Sequence, residues 1–395
     1  MAKVLVVPND PPSPSWEAVA EGFSTRHEVR VAGTDHPRLQ EYMEWKDLPV
    51  FHVDGNSRRS GAVYRLAVEH PGLVALHDLD LEELVRALVR DGDPLAEAAL
   101  REAGADRARL SGEELGGNNR QLTPWCAQLA RRSRAVVSHS AFTRRYLEAT
   151  RCRTPVFVAP HPVPPAEVDG ARPDALRSEL PSNDFVVAAL CDPSAAAWIG
   201  ALVAAVEAPA RLVVVGSAAE IAGTAEDVTV PDPASRAEIG SWVSAADAVV
   251  NLGHPMREEA RSFTAAAQAA GKGAVLTAAW FREGVPEDAA LRVNPMPASE
   301  ELRNAIAFLR QSALEREAMG GRLREDGLAR CTPEAAADVY TQAVAETIAL
   351  LDDPVRSALS RWASGLAECG ATIDLARQGL GARFADEIAA LADAR

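Results

Sequence analysis

Short apolar runs alternate with longer amphipathic stretches along the first part of the chain. The run over residues 4–7 is unbroken and is followed by Pro8, a pattern typical of a strand buried in a parallel sheet. A proline-rich loop comes next, and Ser15 is a candidate N-cap for a helix over residues 16–23. The pattern predicts further strands over residues 27–31, 50–53, 73–76, 135–138 and 156–159, and helices over 61–68, 81–90, 94–102, 124–131 and 141–148. This alternation predicts a Rossmann-like domain over residues 1–165.

A second alternation of the same kind follows a stiff linker. The linker is the proline-dense segment 160–165 with the polar stretch that continues to residue 184. Beyond it the pattern predicts strands over residues 185–190, 211–215, 228–230, 248–252, 273–277 and 290–293, and helices over 197–206, 236–245, 259–270 and 300–314. We therefore expect a second Rossmann-like domain over residues 183–350, including a helix over 334–351, and a helical tail over 351–395.

Composition narrows the possible partners. The chain has 395 residues with 41 Lys and Arg against 56 Asp and Glu, a net charge of −15, which argues against nucleic-acid or acidic-membrane binding. An anion site must rely on arginine or backbone N–H groups, because the chain has only three lysines, at Lys3, Lys46 and Lys272. The five cysteines form no C-x-x-C pair, so no metal site is predicted. No apolar run is long enough for a signal peptide or a membrane span, so we expect a cytoplasmic protein.

Several segments resemble family 4 glycosyltransferases, which have the GT-B fold. They are VRV at 29–31, PGLVALHD at 71–78, VVSHSAFT at 136–143, VAPHPV at 158–163, SAADAVVNL at 244–252 and WFREGVP at 280–286. The resemblance covers roughly residues 1–350. It implies two Rossmann-like domains facing each other across a cleft, with the last helices returning toward the N-terminal domain.

The resemblance also implies a chemistry. Members of the family transfer a sugar from a nucleoside-diphosphate donor to an acceptor, usually with retention and without an essential metal or other cofactor. The diphosphate rests on a helix N-terminus of the C-terminal domain, where unpaired N–H groups and the helix dipole favour anions. A basic residue completes the site, and two glutamates eight positions apart hold sugar and ribose hydroxyls. Separately, the richness in arginine and alanine with few lysines suggests a GC-rich genome, and with such a background a small-molecule or natural-product acceptor is reasonable.

This sequence departs from the family pattern at the donor site. By alignment Cys191 stands where the family has glycine, and Ala197 stands where it has the basic residue. Asp192 adds a negative charge where the diphosphate would rest. Glu258 or Glu259 can serve as the first acid, but Ala266 and Ala267 lie eight positions further on.

Two arginines could replace the missing cation. Arg257 and Arg261 flank the glutamates and lie four positions apart, on one face of the predicted helix. The alternative is an ordinary solvent-exposed first helical turn with Arg–Glu pairs. A further donor-side candidate is Gly216 with Ser217, which follows a strand and is either a phosphate-binding turn or a simple turn.

Candidate residues of the N-terminal domain lie at strand ends, where α/β folds place ligand contacts. His77 and Asp78 end a predicted strand and are the catalytic candidates, His77 for contacts near the transferred sugar or as a satisfied turn histidine. Asn9 and Asp10 follow the first strand as an acceptor-side lip or a stiff surface loop. His139 is an acceptor-side candidate with a structural role as its alternative.

Three functions remain open from the sequence. The first is a divergent glycosyltransferase. The second is a catalytically silent GT-B-fold partner subunit or small-molecule binder, which accounts for the altered diphosphate site. The third is a protein that binds a different phosphorylated ligand in the same cleft. A homo- or hetero-oligomer is compatible with each of them.

Overall fold

The computed structural model describes residues 1–10, 12–107, 125–163, 171–181, 184–192, 198–207, 209–217, 219–222, 227–231, 236–294 and 297–351. The chain divides into a compact unit of residues 1–341, which contains both sheets, and a second unit of residues 342–395. The described part of the second unit is the end of one helix. The helical tail predicted beyond residue 351 lies outside the described residues.

The first half of the chain, residues 1–163, forms a parallel sheet flanked by helices. Its strands are β1 (Lys3–Val7), β2 (Glu28–Val31), β3 (Leu48–Val53), β4 (Leu73–Leu76), β5 (Ala135–Ser138) and β6 (Val156–Val158). Its helices are α1 (Pro14–Ser24), α2 (Leu39–Trp45), α3 (Ser57–Glu69), α4 (Glu82–Arg90), α5 (Pro94–Arg107), α6 (Ala127–Arg132) and α7 (Ala141–Ala149). The strand order is β2-β1-β3-β4-β5-β6. The unbroken apolar runs form β1, β3, β4 and β5 because helices bury both faces of the sheet there.

The second half, residues 171–341, repeats this arrangement with the order β9-β8-β7-β10-β11-β12. Its strands are β7 (Phe185–Leu190), β8 (Ala210–Val215), β9 (Val228–Thr229), β10 (Ala248–Asn251), β11 (Gly273–Thr277) and β12 (Leu291–Val293). Its helices are α8 (Ala171–Ser178), α9 (Ile199–Val203), α10 (Arg236–Ala245), α11 (Glu258–Ala270), α12 (Ala278–Arg282), α13 (Ser299–Gln311) and α14 (Ala313–Arg330). Helix α15 (Pro333–Leu351) follows. The predicted class, two Rossmann-like parallel α/β sheets, is confirmed.

Local details differ from the prediction at several places, and helices α2 and α12 were not predicted. The N-cap of α1 is Ser13, not Ser15, because Pro14 takes the first helical position, where its missing N–H costs nothing. The predicted linker contains α8. The helix predicted over 300–314 ends at Gln311, and α14 follows although its glycines lower the helix propensity.

Packing explains why α14 forms. Gly320 lies so close to Gly271 that an added Cβ would be 2.1 Å from the Gly271 carbonyl oxygen. The absence of a side chain lets α14 approach the end of α11 closely, and the packing outweighs the weak local propensity.

The strand orders locate the two crevices where a ligand would bind. In each sheet the order reverses between two neighbouring strands, β1 and β3 in the first half and β7 and β10 in the second. Ligands of open α/β sheets bind outside the carboxyl ends of the strands at such points. Asn9 and Asp54 follow the strands of the first crevice, and Asp192 and Gly253 follow those of the second. No helix in the described part of the chain has the length and apolar character needed to cross a membrane.

Candidate functional site

A carboxylate from the first half caps a helix of the second half. Asp78, two residues after β4, accepts a hydrogen bond through Oδ1 from the backbone N–H of Glu258 at 2.6 Å. Its Oδ2 accepts from the N–H of Gly55 at 3.0 Å. Glu258 is the first residue of α11, whose N–H groups have no partner within the helix. The carboxylate therefore lies at the positive end of the α11 dipole, the position expected for the donor diphosphate.

Arg257, the N-cap of α11, is surrounded by carboxylates. Its Nη1 donates to Asp80 Oδ2 at 3.0 Å, and its Nε lies 3.9 Å from Asp192 Oδ2. Burial raises the pKa of Asp80, and the guanidinium of Arg257 opposes this shift by favouring the ionised carboxyl. Neighbouring Asp78, Asp192 and Asp80 raise the pKa of Arg257, although burial opposes the shift.

Arg261 is almost fully buried, with 4% of its surface exposed. Its guanidinium donates to the carbonyl oxygens of Pro255 and His77. Burial lowers the pKa of Arg261 from its usual value, and the nearby Asp78 and Glu258 carboxylates act in the opposite direction. Each arginine therefore has one contact in the first half and one in its own half, which differs from the solvent-exposed Arg–Glu pairs that the alternative interpretation describes.

The Glu258 side chain also reaches into the first half. Its Oε1 accepts from Ser13 Oγ at 2.7 Å and from Ser15 Oγ at 2.9 Å. Both hydroxyls lie near His77 Nδ1, at 3.2 Å and 3.1 Å. The two hydroxyls also lie 2.7 Å from each other. When both of them donate to the carboxylate, their oxygens accept from the imidazole, and the His77 proton is then on Nδ1.

His52 fixes the other side of the His77 ring. His52 Nδ1 lies 2.8 Å from His77 Nε2, so His52 donates when His77 carries its proton on Nδ1. The His52 ring is packed beside Trp16, with ring centroids 4.5 Å apart, and parallel to Tyr340 within 8°. Burial lowers the pKa of both histidines, which keeps both rings neutral. The result is a hydrogen-bonded chain from His52 through His77 to Glu258.

His139, which is buried, and His161, which is partly buried, continue this row of imidazoles. His139 Nδ1 donates to the Pro160 carbonyl at 3.0 Å, and its Nε2 accepts from the Tyr340 hydroxyl at 3.4 Å. Burial and the neighbouring His77 lower the pKa of His139 to about 3. Because both ring nitrogens of His139 have hydrogen-bond partners, a structural role is favoured. A contact between His139 and the sugar acceptor stays a prediction. Within the described residues, no group of three or more His, Cys, Asp or Glu side chains is arranged to hold a metal ion.

Glu259 points in a different direction from Glu258. Its carboxylate accepts from the N–H of Ser217 at 2.6 Å and from the Ser217 hydroxyl at 2.5 Å, at the carboxyl end of β8. Gly216 has φ +114°, and a Cβ there would lie 2.7 Å from the Cys191 carbonyl oxygen, so the turn requires glycine. The structure thus brings Gly216, Ser217 and Glu259 together beside the second crevice, as a subsite separate from Glu258.

The two acceptor-side candidates, Asn9 and Asp10, lie in different environments. Asn9 is buried and donates to Asp54 Oδ2 at 2.7 Å, whereas Asp10 is exposed. Asp54 also bonds Ser60 and pairs with Arg59 Nη1 at 3.1 Å. Sequence reasoning missed Asp54, although it follows β3 at the first crevice and the strand-end rule points to it. Burial and the neighbouring Asp78 raise the pKa of Asp54 to about 6.

A second cap runs in the opposite direction. Glu283, just after α12, accepts from the N–H groups of Ala141 at 2.6 Å and Phe142 at 2.9 Å, at the start of α7. Each half therefore places a carboxylate on a helix N-terminus of the other.

The structure places the main predicted residues as follows. His77, Asp78, Arg257, Glu258 and Arg261 converge at the contact between the two halves. Ser13, Ser15, His52, Asp80 and Glu283 join them there without having been identified as site residues from the sequence. The signal for Ser15 was only a candidate helix cap, Ser13 lay in the predicted proline-rich loop, and His52 looked like part of a buried strand. Cys191 and Asp192 are buried at the end of β7, and Ala197 lies outside the described residues.

The architecture is that of the GT-B glycosyltransferases. HepE from Anabaena, solved with UDP and glucose, matches with a TM-score of 0.58 at 14% identity, over 88% of this chain and 100% of HepE. Sucrose-phosphate synthase from Thermosynechococcus elongatus matches at 0.59 and 16% identity, over 88% and 100%. WaaG, a glycosyltransferase of lipopolysaccharide biosynthesis, matches at 0.53 and 13% identity, over 86% and 99%. No family model and no curated protein matches the sequence.

Proposed function

We propose that this protein is a glycosyltransferase that moves a sugar from a nucleoside-diphosphate donor to a small-molecule acceptor, with retention and without a required metal. One observation carries the proposal. Two arginines and the N-terminus of α11 meet His77 and Glu258 at the carboxyl ends of both sheets. Groups that stabilise a departing anion thus lie beside groups that hydrogen-bond hydroxyls, which is the requirement of sugar transfer from a diphosphate.

In this proposal the second half holds the donor. The diphosphate takes the N–H groups at the start of α11 and the guanidinium of Arg257, which stabilise charge on the leaving group. Arg261 supplies a second cation close behind. Glu259 holds the ribose, since its carboxylate already accepts two hydrogen bonds from Ser217 and a ribose diol presents two similar donors.

The first half completes the reacting centre. Glu258 and the Nδ1–H of His77 hold hydroxyls of the transferred sugar in place of Ser13 and Ser15. The acceptor enters from the side of Asn9 and the first crevice.

One observation favours a second candidate, a silent subunit or small-molecule binder. Asp78, Asp80 and Asp192 surround the groups that would hold the diphosphate, and each adds negative charge there. A neutral ligand would then suit the cleft better than a nucleotide.

Calorimetry with UDP, GDP, dTDP and ADP separates the two candidates. The transferase predicts submillimolar binding of one nucleotide, weakened about tenfold or more by Arg261→Ala. Arg132→Ala, at the exposed end of α6, is the matched control and should leave binding unchanged. The matching nucleotide sugar should then release its nucleoside diphosphate in the presence of acceptor. A folded protein that binds none of the four nucleotides would support the silent candidate.

A further inference from the structure

The segment 77–80 lies along the start of α11 as a continuous strip. Leu79 donates its N–H to the carbonyl of Met256 at 2.9 Å, and the His77 carbonyl accepts from Arg261. Between and beyond these contacts, Asp78 and Asp80 point their carboxylates at the second half. Four consecutive residues thus each contact the segment 256–261.

The carboxylates of Asp78 and Asp80 bind the same N–H and guanidinium groups that the proposed function assigns to the donor diphosphate. Asp78 takes the first N–H of α11, and Asp80 takes the guanidinium of Arg257. Two anionic groups on one short strip therefore fill two neighbouring anion-binding positions. We infer that the carboxylates of Asp78 and Asp80 are an internal stand-in for the diphosphate, so that a diphosphate binds only when these two carboxylates withdraw. This inference rests on the proposed function and describes the regulation of the same site.

The charges at this site require that a diphosphate replaces the carboxylates of Asp78 and Asp80 and does not bind beside them. Arg257 already faces Asp80 and Asp192, and Asp78 lies at the adjacent N–H. A diphosphate added to these three carboxylates would face strong repulsion at short range. Removing Asp78 and Asp80 together leaves Arg257 and the helix N-terminus for the incoming anion.

Asp78 and Asp80 withdraw from α11 together because both lie on one short segment of the first half. Asp78 is held on the first half by the N–H of Gly55 at 3.0 Å, and Asp80 is two residues further along the same strip. Movement of this half away from α11 therefore withdraws both anions in one step. The association constant measured for a diphosphate is its intrinsic association constant multiplied by the fraction of molecules in the withdrawn state.

The test measures binding of inorganic pyrophosphate and of UDP, GDP, dTDP and ADP to the full chain. Asp80→Asn and Asp78→Asn should each tighten pyrophosphate binding about tenfold or more. Asp91→Asn, at the exposed end of α4, makes the same change in net charge and should leave the affinity unchanged. Unchanged or weaker binding by both site variants, or no binding by any protein tested, overturns the inference.

A crosslink tests the same point without removing a carboxylate. Leu79→Cys with Met256→Cys joins two segments whose backbones share a hydrogen bond. The oxidised double variant should lose pyrophosphate binding and regain it on reduction, while Leu79→Cys alone is insensitive to the oxidant. Equal binding in the oxidised and reduced double variant contradicts the inference.

The two proposals fail in different ways. Tighter pyrophosphate binding by Asp80→Asn, without sugar transfer from any nucleotide sugar, keeps the stand-in and removes the transferase. Sugar transfer with no change in pyrophosphate affinity does the reverse.

Discussion

The carboxylate of Glu283 accepts a hydrogen bond from the backbone N–H of Ala141 at 2.6 Å, and this contact joins the second half of the molecule to the first. A carboxylate on a helix N-terminus contributes through the hydrogen bond and through the helix dipole. We expect Glu283→Gln to lower the free energy of unfolding by about 1 kcal/mol. Glu287→Gln, at a side chain that is 72% exposed, is the control. Equal thermal midpoints for the two variants would show that the cap adds nothing to stability.

The packing of α14 gives a prediction with a control one residue away. A Cβ at Gly320 would lie 2.1 Å from the Gly271 carbonyl oxygen, whereas one at Gly321 would meet no atom within 4 Å. Gly320→Ala should destabilise the protein by about 3 kcal/mol, since the two backbones must move apart. Gly321→Ala should stabilise it by roughly 0.5–1 kcal/mol through helix propensity. Urea unfolding measures both, and similar midpoints would refute the close contact.

The contacts of His77 with Ser13 and Ser15, together with the His52–His77 hydrogen bond, predict a tautomer. His77 should carry its proton on Nδ1 across the neutral range, which long-range ¹H–¹⁵N spectra report directly. His52→Phe removes the donor that faces His77 Nε2 and should lower kcat more than it changes KM. His52→Asn, which can still donate, should recover part of the loss.

A His77 ring protonated on Nε2 in the wild type would contradict this arrangement. So would equal turnover in the His52→Phe and wild-type proteins.

The buried histidines make the protein sensitive to acid. The pKa of His139 is near 6.5 when unfolded and about 3 when folded, so between these values the unfolded chain binds more protons. Stability should therefore fall as the pH is lowered from 6.5 toward 3. His139→Gln should reduce the slope by about 1.4 kcal/mol per pH unit in that window. Chemical unfolding at a series of pH values tests this, and an unchanged slope contradicts it.

The titration of Asp54 changes the stability with pH in the opposite direction. Its pKa is about 6 in the folded protein against 3.8 otherwise, so the folded state binds the extra proton and this contribution to stability is lost as the pH rises from about 4 to 6. Asp54→Asn should make the overall stability rise more steeply with pH in this window. The exposed Asp35→Asn is the control, and identical curves for the two variants would show that Asp54 titrates normally.

The hydrophobic pattern was sufficient to predict the architecture because strands buried in a parallel sheet have unbroken apolar sequences. Strands β4, β5, β7 and β11 lie at the residues predicted for them. Helix α14 was missed because its formation depends on Gly320 meeting Gly271, which lies in a different part of the chain. A tertiary contact of that kind leaves no local pattern.

The site could be predicted only in part for the same reason. His77 and Asp78 were found because strand ends carry ligand contacts, and Arg257, Glu258 and Arg261 were found through the family resemblance. Sequence reasoning treated the latter three as surface or ligand groups. Their actual partners lie about 180 residues away in the chain, so their burial against the first half could not be inferred from spacing.

The reciprocal caps of α7 and α11 constrain how this molecule moves. Each helix would lose its carboxylate on separation of the halves, although α7 keeps its N-cap Ser140, whose hydroxyl accepts from the N–H of Phe142 at 3.2 Å. A separation of the halves would therefore break both contacts together, and small anions would then compete for the two helix starts. We therefore expect sulfate to weaken the contact between the two halves.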